Sequence, residues 1–281
     1  MHETAELKND PSPLLSPGEP PAWELLNAQS RSPLVILCDH ARNRTPRALG
    51  DLGIDEALFQ QHIAYDIGAE NTARRLADRF GARLFISGYS RLVIDLNRHP
   101  GDGSSIPEVS DGIEIPANRW LTPEQIISRE KALFWSYHDR VTAELKGLAD
   151  RGVTPVVLSL HSFTPVYRGH TRPWHIGVLW DRDQRVSGPL LQRLSALPGI
   201  CVGDNEPYHA RSPLGYTMEV HCEHTGFPHV LLEIRQDLIS TDEGAEQWAA
   251  LIHEHLAAVL EESALLNPHT STGTSRGEEA Q

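Results

Sequence analysis

Short apolar runs alternate with helical patterns along most of the chain, and this alternation limits the possible folds more than any other feature. Runs of this length, bounded by turn residues, are typical of buried strands. Helices between the strands favour an α/β sandwich, in which helices cover a central sheet. The predicted strands lie in SPLVILCDH, ARLFISG, RLVIDL, TPVVLSL, HIGVLW, ICVG and HVLLEI.

The clearest helix signal lies in LTPEQIISREKALFWSYHDRVTAELKGLADRG. Thr122 suits the N-cap, Pro123 the first helical position and Gln125 the third, where its side chain can complete a capping box. Gly152 is a stop signal near the far end. We predict further helical segments in ALFQQHIAYDIGAENTARRLADRFG, near Ser187 to Leu197, around Gly215 to Glu223, and from Thr241 to about Glu261.

The two ends of the chain differ in composition from the middle. Residues 1–30 are rich in proline and polar residues, which predicts a flexible or surface-draped arm. Residues 263–281 are polar and predict a disordered tail. No internal repeat or composition break divides residues 31–262, so we predict one α/β hydrolase domain there.

The charge of the chain makes several classes of partner improbable. A formal net charge of -13 argues against nucleic acids and anionic membranes, which bind basic surfaces. No apolar run approaches the ~20 residues of a membrane span, and the N-terminus lacks signal-peptide features. Three cysteines without a CxxC pair suit a reducing compartment. We therefore expect a cytoplasmic protein with a small-molecule partner.

Polar residues collect where the predicted strands end. Ligands of α/β sheets gather outside the carboxyl ends of the strands. The residues at those ends are Asp39, His40, Asp95, Asn97, Arg98, His161, Ser162, Glu233, Arg235 and Asp237. Metal hydrolases need histidine and carboxylate ligands, a further carboxylate as base, and a cation for the developing oxyanion. All of these residue types are present.

His40 and His161 are the candidate metal ligands, because each follows or ends a different predicted strand. The alternative is that each is a hydrogen-bonded structural residue. Asp66 interrupts a helical pattern beside Gly68 and is either an N-cap or a site residue. Other histidines fall in helical patterns and are interpreted as surface or boundary residues, namely His62, His138, His253 and His255.

The stretch SRLVIDLNRHP places an acid, an amide and two guanidinium groups around one apolar run. These residues either mark the end of a strand and the start of a turn, or they form an anion-binding site. Planar Arg side chains suit carboxylates, because they form paired charge-assisted hydrogen bonds. A local positive pocket is compatible with an acidic surface.

Six motifs, in this order, resemble the N-formylglutamate amidohydrolases, a family of zinc-dependent amide hydrolases. They are DHARNRTP, YDIGAENTARRLA, SRLVIDLNR, LSLHSFTP, GDNEPYHA and EIRQDL, between about Leu34 and Leu260. The resemblance implies a three-layer α/β/α sandwich with a mixed central sheet, of the phosphorylase/hydrolase-like type. The family is distantly similar to zinc carboxypeptidases and to aspartoacylase and succinylglutamate desuccinylase.

The resemblance also implies roles for residues of this chain. Asn97 and Arg98 would hold a substrate carboxylate, and Arg91 would polarise the scissile carbonyl. Glu233 would be the general base. Tyr208 and Arg235 are further substrate-binding candidates, although Arg235 could instead pair with Glu233, two residues away on the same face of a strand.

Zinc would be held by His40, His161 and a third ligand. The carboxypeptidase relatives carry Glu three positions after the first His, whereas Asn43 stands there in this chain. Because an amide is a poor zinc ligand beside a carboxylate, Asp66 or Asp39 is the alternative. Asp66 is favoured, because it belongs to the YDIG part of the resemblance.

The reaction that follows is zinc-dependent hydrolysis of N-formyl-L-glutamate, as in histidine degradation, or of a related N-acyl amino acid. Alternatives are another carboxylate-bearing amide, such as a short peptide, and a non-catalytic carboxylate-binding protein. A Ser or Cys hydrolase is disfavoured, because no GxSxG elbow surrounds Ser162 or Cys38. We expect a monomer or small homo-oligomer.

Overall fold

A mixed seven-stranded sheet lies at the centre of the computed structural model, which describes residues 14–208, 215–263 and 265. The sheet order is β1-β3-β2-β6-β11-β9-β10, and β4–β5 and β7–β8 form two small hairpins. Strands β3, β2, β6 and β11 run parallel to one another. Strand β1 is antiparallel to β3, and β9 is antiparallel to β11. The strands are β1 (Trp23–Leu26), β2 (Leu34–Cys38), β3 (Arg83–Ser87), β4 (Val109–Ser110), β5 (Ile113–Glu114), β6 (Val156–Phe163), β7 (Val166–Tyr167), β8 (His170–Thr171), β9 (Ile176–Leu179), β10 (Val202–Asp204) and β11 (His229–Arg235).

Helices follow most of the strands. The α-helices are α1 (Ala69–Phe80), α2 (Pro123–Arg129), α3 (Ser136–Asp150), α4 (Ser187–Ser195), α5 (Tyr216–Met218) and α6 (Asp242–Glu262). Two π-helices, Glu130–Trp135 and Glu219–Glu223, continue α2 and α5, and short 3-10 helices occupy Arg47–Leu49, Glu56–Gln60, Pro116–Asn118 and Gln236–Leu238. None of the helices in the described part of the chain is both long and apolar enough to span a bilayer.

Both faces of the sheet are covered, as alternate residues of β2 show. Leu34, Ile36 and Cys38 pack with α1, α4 and α6. Val35 and Leu37 pack on the opposite side with α3 and the π-helix before it. Successive side chains of a strand point to opposite faces, so a strand buried on both faces is continuously apolar. The predicted three-layer α/β/α sandwich with a mixed sheet is confirmed.

The predicted capping box is present at the start of α2. Thr122 Oγ1 accepts from the Gln125 backbone N–H, and Gln125 Oε1 accepts from the Thr122 N–H. The helical segment nevertheless differs from a single α-helix, because the π-helix separates α2 from α3.

The predicted strand RLVIDL is wrong: residues 91–96 form turns and irregular backbone, and residues 92–96 are buried. Side chains in and just before this run accept hydrogen bonds from backbone N–H groups that would otherwise pair with a neighbouring strand. Ser90 Oγ accepts from the Leu92 N–H, and Asp95 Oδ1 accepts from the Asn97 N–H at 2.8 Å. The apolar residues are still buried, so composition alone could not distinguish the two conformations.

Part of the predicted arm belongs to the sheet. Strand β1 lies within residues 1–30 and pairs antiparallel with β3 along its whole length. Leu14 is also buried. Residues 1–13 lie outside the described residues, as does nearly all of the predicted tail.

Gly68 lets the chain turn between Asp66 and α1. Its φ of +79° lies in the left-handed region, where a side chain is strained, and a Cβ there would meet the Ile239 carbonyl oxygen at 2.2 Å. Gly81 also has a positive φ, +54°, but a Cβ would meet nothing within 4 Å. The close approach of Gly68 to the segment after β11 therefore fixes the position of Asp66.

Replacing Gly68 should destabilise the protein much more than replacing Gly81. Gly81→Ala should cost only the backbone strain, about 1–2 kcal/mol, whereas Gly68→Ala should cost more because the Ile239 backbone must also move. Denaturant unfolding of both variants measures the difference. Equal losses of unfolding free energy would mean that the close contact at Gly68 is relieved without cost.

His138 is buried rather than at the surface, which corrects the sequence interpretation. Its Nε2–H donates to the Leu96 carbonyl at 2.8 Å, and its Nδ1 lies 2.8 Å from Nε2 of the buried His221. His221 Nδ1 lies 3.4 Å from the Thr142 hydroxyl. Each of these hydrogen bonds joins one donor to one acceptor when both rings are neutral. The pair also links α3 to the turn that carries Asn97 and Arg98.

Burial lowers the pKa of His138 to about 4 and that of His221 to about 3. Since the unfolded chain binds protons near pH 6.5 and the folded pair does not, stability should fall as pH decreases from about 6.5 towards 4. In His221→Phe the dependence of unfolding free energy on pH should be shallower in this window, by up to about 1.4 kcal/mol per pH unit. His253→Phe, on α6, is the control; unchanged pH dependence in His221→Phe would contradict a neutral pair.

Candidate metal centre

Three neighbouring parallel strands bring the predicted site residues together. His40 follows β2, His161 lies near the end of β6, and Glu233 lies near the end of β11. The register pairs Glu233 with His161. Asp66 arrives from the segment before α1 and is held there by its backbone N–H, which donates to the His40 carbonyl at 2.8 Å.

His40, Asp66 and His161 present one ligand atom each within 4.8 Å of one another, and all three are buried. Nδ1 of His161 lies 2.9 Å from Asp66 Oδ2, and Nδ1 of His40 lies 3.4 Å from the same oxygen. Two imidazole nitrogens and a carboxylate are a donor set that suits zinc and leaves a further position open.

The other ring nitrogens have their own partners. His40 Nε2 lies 2.7 Å from Asp95 Oδ1, and His161 Nε2 lies 3.0 Å from Ser159 Oγ. A metal-ligating histidine usually donates its second N–H to such a group, which fixes the tautomer. With its proton on Nε2, neutral His40 turns an unprotonated Nδ1 towards a carboxylate, an arrangement that a cation between them would stabilise.

Without a metal, a proton can take that position. Burial alone would lower the pKa of His40, and Arg91 acts in the same direction, but the carboxylates of Asp95 and Asp66 raise it to about 9. Burial would raise the pKa of Asp66, yet His40 and His161 hold it below its usual range. The centre therefore carries enough negative charge to favour a cation.

The two other candidates for a third ligand are engaged elsewhere. Asp39 accepts from the Tyr137 hydroxyl and from the Thr217 hydroxyl, both at 2.7 Å. The Asn43 amide donates to the Phe59 carbonyl at 2.7 Å. Asp66, in contrast, presents a carboxylate oxygen within 4.8 Å of the ligand atoms of His40 and His161.

Arg91 lies beside the centre. Its Nε and Nη2 donate to Asp95 Oδ2 at 3.1 and 2.6 Å, and its Nη1 lies 3.4 Å from Asp66 Oδ1. The two hydrogen bonds, which converge on one carboxylate oxygen, hold the guanidinium in place. Asp95 thus positions both Arg91 and His40.

Glu233 is buried, and within the described part of the structure its Oε2 has no hydrogen-bond partner. Burial raises the pKa of Glu233 to about 7. An unpaired buried carboxyl group is costly, and a pKa near neutrality suits a group that accepts and returns a proton.

A cavity connects these residues to the predicted substrate-binding residues. Asn97, Arg98 and Tyr208 line it together with the three candidate ligands, Arg91 and Glu233. Arg235 is not among the lining residues, and its guanidinium pairs with Asp237 at 2.8 Å rather than with Glu233. Its predicted role in substrate binding therefore has no support in this geometry.

The groups of the alternative nucleophilic mechanism are poorly placed. Cys38 is fully buried in the core on the α1 side of the sheet, and burial raises its pKa well above the usual value. The Ser162 hydroxyl lies at the cavity but donates to the Ile67 carbonyl at 2.9 Å.

Sequence reasoning missed several residues that line the cavity. They include Leu179, Trp180, Asp181, Met218, Glu223, His229 and Leu231. For β11 the sequence did contain a usable pattern. Alternate residues of a strand lie on the same face, so His229 and Leu231 are expected on the same face as Glu233.

Comparisons with known proteins identify the family of the chain. The family model described as N-formylglutamate amidohydrolase matches residues 32–240. No match was found among curated proteins.

Two solved structures have related folds. The gene product Atu2144 from Agrobacterium tumefaciens is 32% identical, with a TM-score of 0.86, over 89% of this chain and 98% of that one. An N-formylglutamate amidohydrolase from Ralstonia eutropha JMP134 is 19% identical, with a TM-score of 0.62, over 87% of this chain and 98% of that one. The chain belongs to the N-formylglutamate amidohydrolase family.

Proposed function

We propose that the protein is a zinc-dependent amidohydrolase that cleaves N-formyl-L-glutamate or a related N-acyl amino acid to the free amino acid and a carboxylic acid. The observation that carries the proposal is the placement of Glu233 beside the buried cluster of His40, Asp66 and His161, within one cavity. Membership of the family supports the same reaction class.

His40 Nδ1, His161 Nδ1 and Asp66 Oδ2 would hold the metal ion. When bound, zinc supplies a Lewis acid and lowers the pKa of a coordinated water to about 7. Asp95 and Ser159 keep the two imidazole rings oriented through their second nitrogens.

Glu233 would accept the proton of the attacking water and pass it to the leaving nitrogen. Its free oxygen and raised pKa both suit this task, because one carboxyl group must act as base and then as acid near neutral pH. Glu233 is the register partner of His161 on the neighbouring strand, which supports a role beside the proposed metal ligands.

Arg91 would stabilise the negative charge that develops on the scissile carbonyl oxygen, since its guanidinium is already fixed by Asp95. Arg98 would bind the α-carboxylate, with Asn97 beside it. Asn97 is held in place because its Oδ1 accepts from the Thr217 N–H at 3.0 Å. Tyr208 would contact the substrate from the opposite wall.

Removing zinc should abolish formate release from N-formyl-L-glutamate, and restoring zinc should recover it.

Asp66→Asn should bind zinc at least tenfold more weakly, because a carboxylate ligand becomes an amide. Asn43→Ala should bind zinc like the wild type, because Asn43 contacts Phe59 instead. Zinc affinity is measured by competition with a chelator.

Wild-type affinity in Asp66→Asn, or a loss in Asn43→Ala, would contradict the ligand assignment. If the protein takes up zinc stoichiometrically but releases no formate, the result would support the proposed metal centre and exclude N-formyl-L-glutamate as the substrate.

Glu233→Gln should retain zinc and lose activity. The variant keeps the shape of the side chain but cannot accept a proton, so kcat should fall by about 10²–10⁴. Zinc titration of the same preparation shows whether the centre is intact. A kcat within threefold of the wild type, with zinc bound, would exclude Glu233 as the general base.

A further inference from the structure

We infer that the Tyr208 hydroxyl donates a hydrogen bond to the oxygen of the scissile carbonyl in the transition state, and that Arg172 positions Tyr208 for this task. The inference rests on the proposed function and adds a second donor beside Arg91. It depends on a double contact between Arg172 and Tyr208.

Arg172 is a nearly buried cation. It follows β8 directly, is 8% exposed, and its backbone N–H donates to the Pro165 carbonyl at 2.8 Å. Within residues 14–208, 215–263 and 265 its guanidinium pairs with no carboxylate. Nη1 instead donates to the Thr164 carbonyl at 3.4 Å and to the Tyr208 hydroxyl at 3.1 Å. Burying a cation without a carboxylate beside it costs free energy, which favours a functional role for Arg172 over a purely structural one.

Three aromatic rings surround this guanidinium. Its central carbon, Cζ, lies 4.6 Å from the ring centre of Tyr167, 4.9 Å from that of Tyr208 and 5.8 Å from that of Phe163. The face of an aromatic ring carries partial negative charge and attracts a cation. The rings therefore hold Arg172 in place without neutralising its charge.

Tyr208 is held by Arg172 at two points. The guanidinium lies over its ring, and Nη1 donates to its hydroxyl. A rotation of the Tyr208 side chain would break both contacts. Because Tyr208 is 41% exposed, its orientation depends on them more than that of a fully buried side chain would.

The contact leaves the Tyr208 hydroxyl as a donor. A phenol that accepts a hydrogen bond from Arg172 keeps its own proton for an acceptor on another side. A bond accepted from a cation also polarises the O–H group and strengthens the bond that it donates. Burial and the Glu233 carboxylate raise the pKa of Tyr208, against the opposing effect of Arg172 and Arg91, so the hydroxyl is protonated near neutral pH.

Tyr208 lies near the groups proposed to carry out the reaction. It lines the cavity together with Glu233 and Arg91. Both groups are close enough to act on the pKa of the Tyr208 hydroxyl, and Tyr208 acts in turn on the pKa of Arg91. A substrate amide beside Glu233 would therefore be near this hydroxyl.

A second donor matters because the charge of Arg91 is already shared. Its Nε and Nη2 donate to Asp95, and its Nη1 lies 3.4 Å from Asp66 Oδ1. Two carboxylates offset much of its positive charge, which leaves less to stabilise a developing oxyanion. A neutral hydroxyl fixed in advance adds to that stabilisation, and removing one such donor typically lowers kcat by about 10²–10³.

Formate release from N-formyl-L-glutamate by zinc-loaded variants tests the inference. Tyr208→Phe should lower kcat by about 10²–10³ and leave KM within about threefold of the wild type, because only a transition-state hydrogen bond is lost. Arg172→Met should lower kcat by about 10–10²-fold, because the hydroxyl is no longer fixed. Arg172→Lys should recover part of that loss, since an ammonium can donate to the same hydroxyl.

Two further variants separate positioning from a general structural effect. The double variant of Tyr208→Phe and Arg172→Met should have the kcat of Tyr208→Phe alone, because Arg172 acts through the hydroxyl. Arg168→Met is the matched control and should behave like the wild type. Arg168 lies in the same hairpin and contacts the Tyr167 ring at 5.2 Å, but its side chain is 72% exposed. Zinc uptake by each variant shows whether the centre is intact.

Three results would overturn the inference: wild-type kcat in Tyr208→Phe, an increase in KM alone in that variant, or additive losses of kcat in the double variant. If the zinc-loaded wild type releases no formate, the proposed function fails for this substrate. Calorimetric binding of a phosphinic acid analogue, in which tetrahedral phosphorus replaces the formyl carbon, then decides the role of the pair. Binding about tenfold weaker in both Tyr208→Phe and Arg172→Met supports that role, and equal binding overturns it.

Discussion

The parallel hydrogen-bond ladder of β2, β6 and β11 is the constraint on which the site depends. The ladder fixes Glu233 opposite His161 and brings the end of β2, with His40, to the same edge of the sheet. Each strand is continuously buried and so has a strongly specified register. A slip of one residue in β11 would turn Glu233 into the opposite layer and bring an apolar side chain to the candidate metal centre.

Asp66 and Asp95 stabilise the buried polar side chains at that edge of the sheet. Asp66 Oδ2 faces two histidines and accepts from the Ser162 N–H at 3.3 Å. Asp95 holds His40 and Arg91 at the same time. Isolated buried charges are strongly destabilising, whereas groups that share hydrogen bonds offset one another's desolvation. The two acids therefore act as a shared framework for the site.

Much of the fold followed from periodicity, because the buried strands and the long helices carry strong local signals. The position of His40 and His161 after separate strands was enough to indicate a shared site. Local patterns could not show that residues 91–96 form turns, because burial is common to both conformations and side-chain capture of backbone groups decides between them.

Other features depended on contacts between distant segments. The buried His138–His221 pair joins residues 83 positions apart, and neither residue has a local signal that distinguishes it from a surface histidine. The partners of Asp39 and Asn43, which bear on the choice among three candidate metal ligands, also come from distant segments. Glu223, from a π-helix, and His229, from the start of β11, likewise meet only after the chain has folded.

The small antiparallel strand β1 has a consequence for the behaviour of the protein in solution. It occupies the edge of β3, whose backbone groups would otherwise be open to pairing with another chain. Glu24 of β1 is also bound by Arg42, which bridges to Glu70 of α1. The N-terminal segment thus acts as a protective cover for the sheet. Loss of this segment after proteolytic cleavage before β2 would expose the five-residue edge of β3 to pairing with another chain.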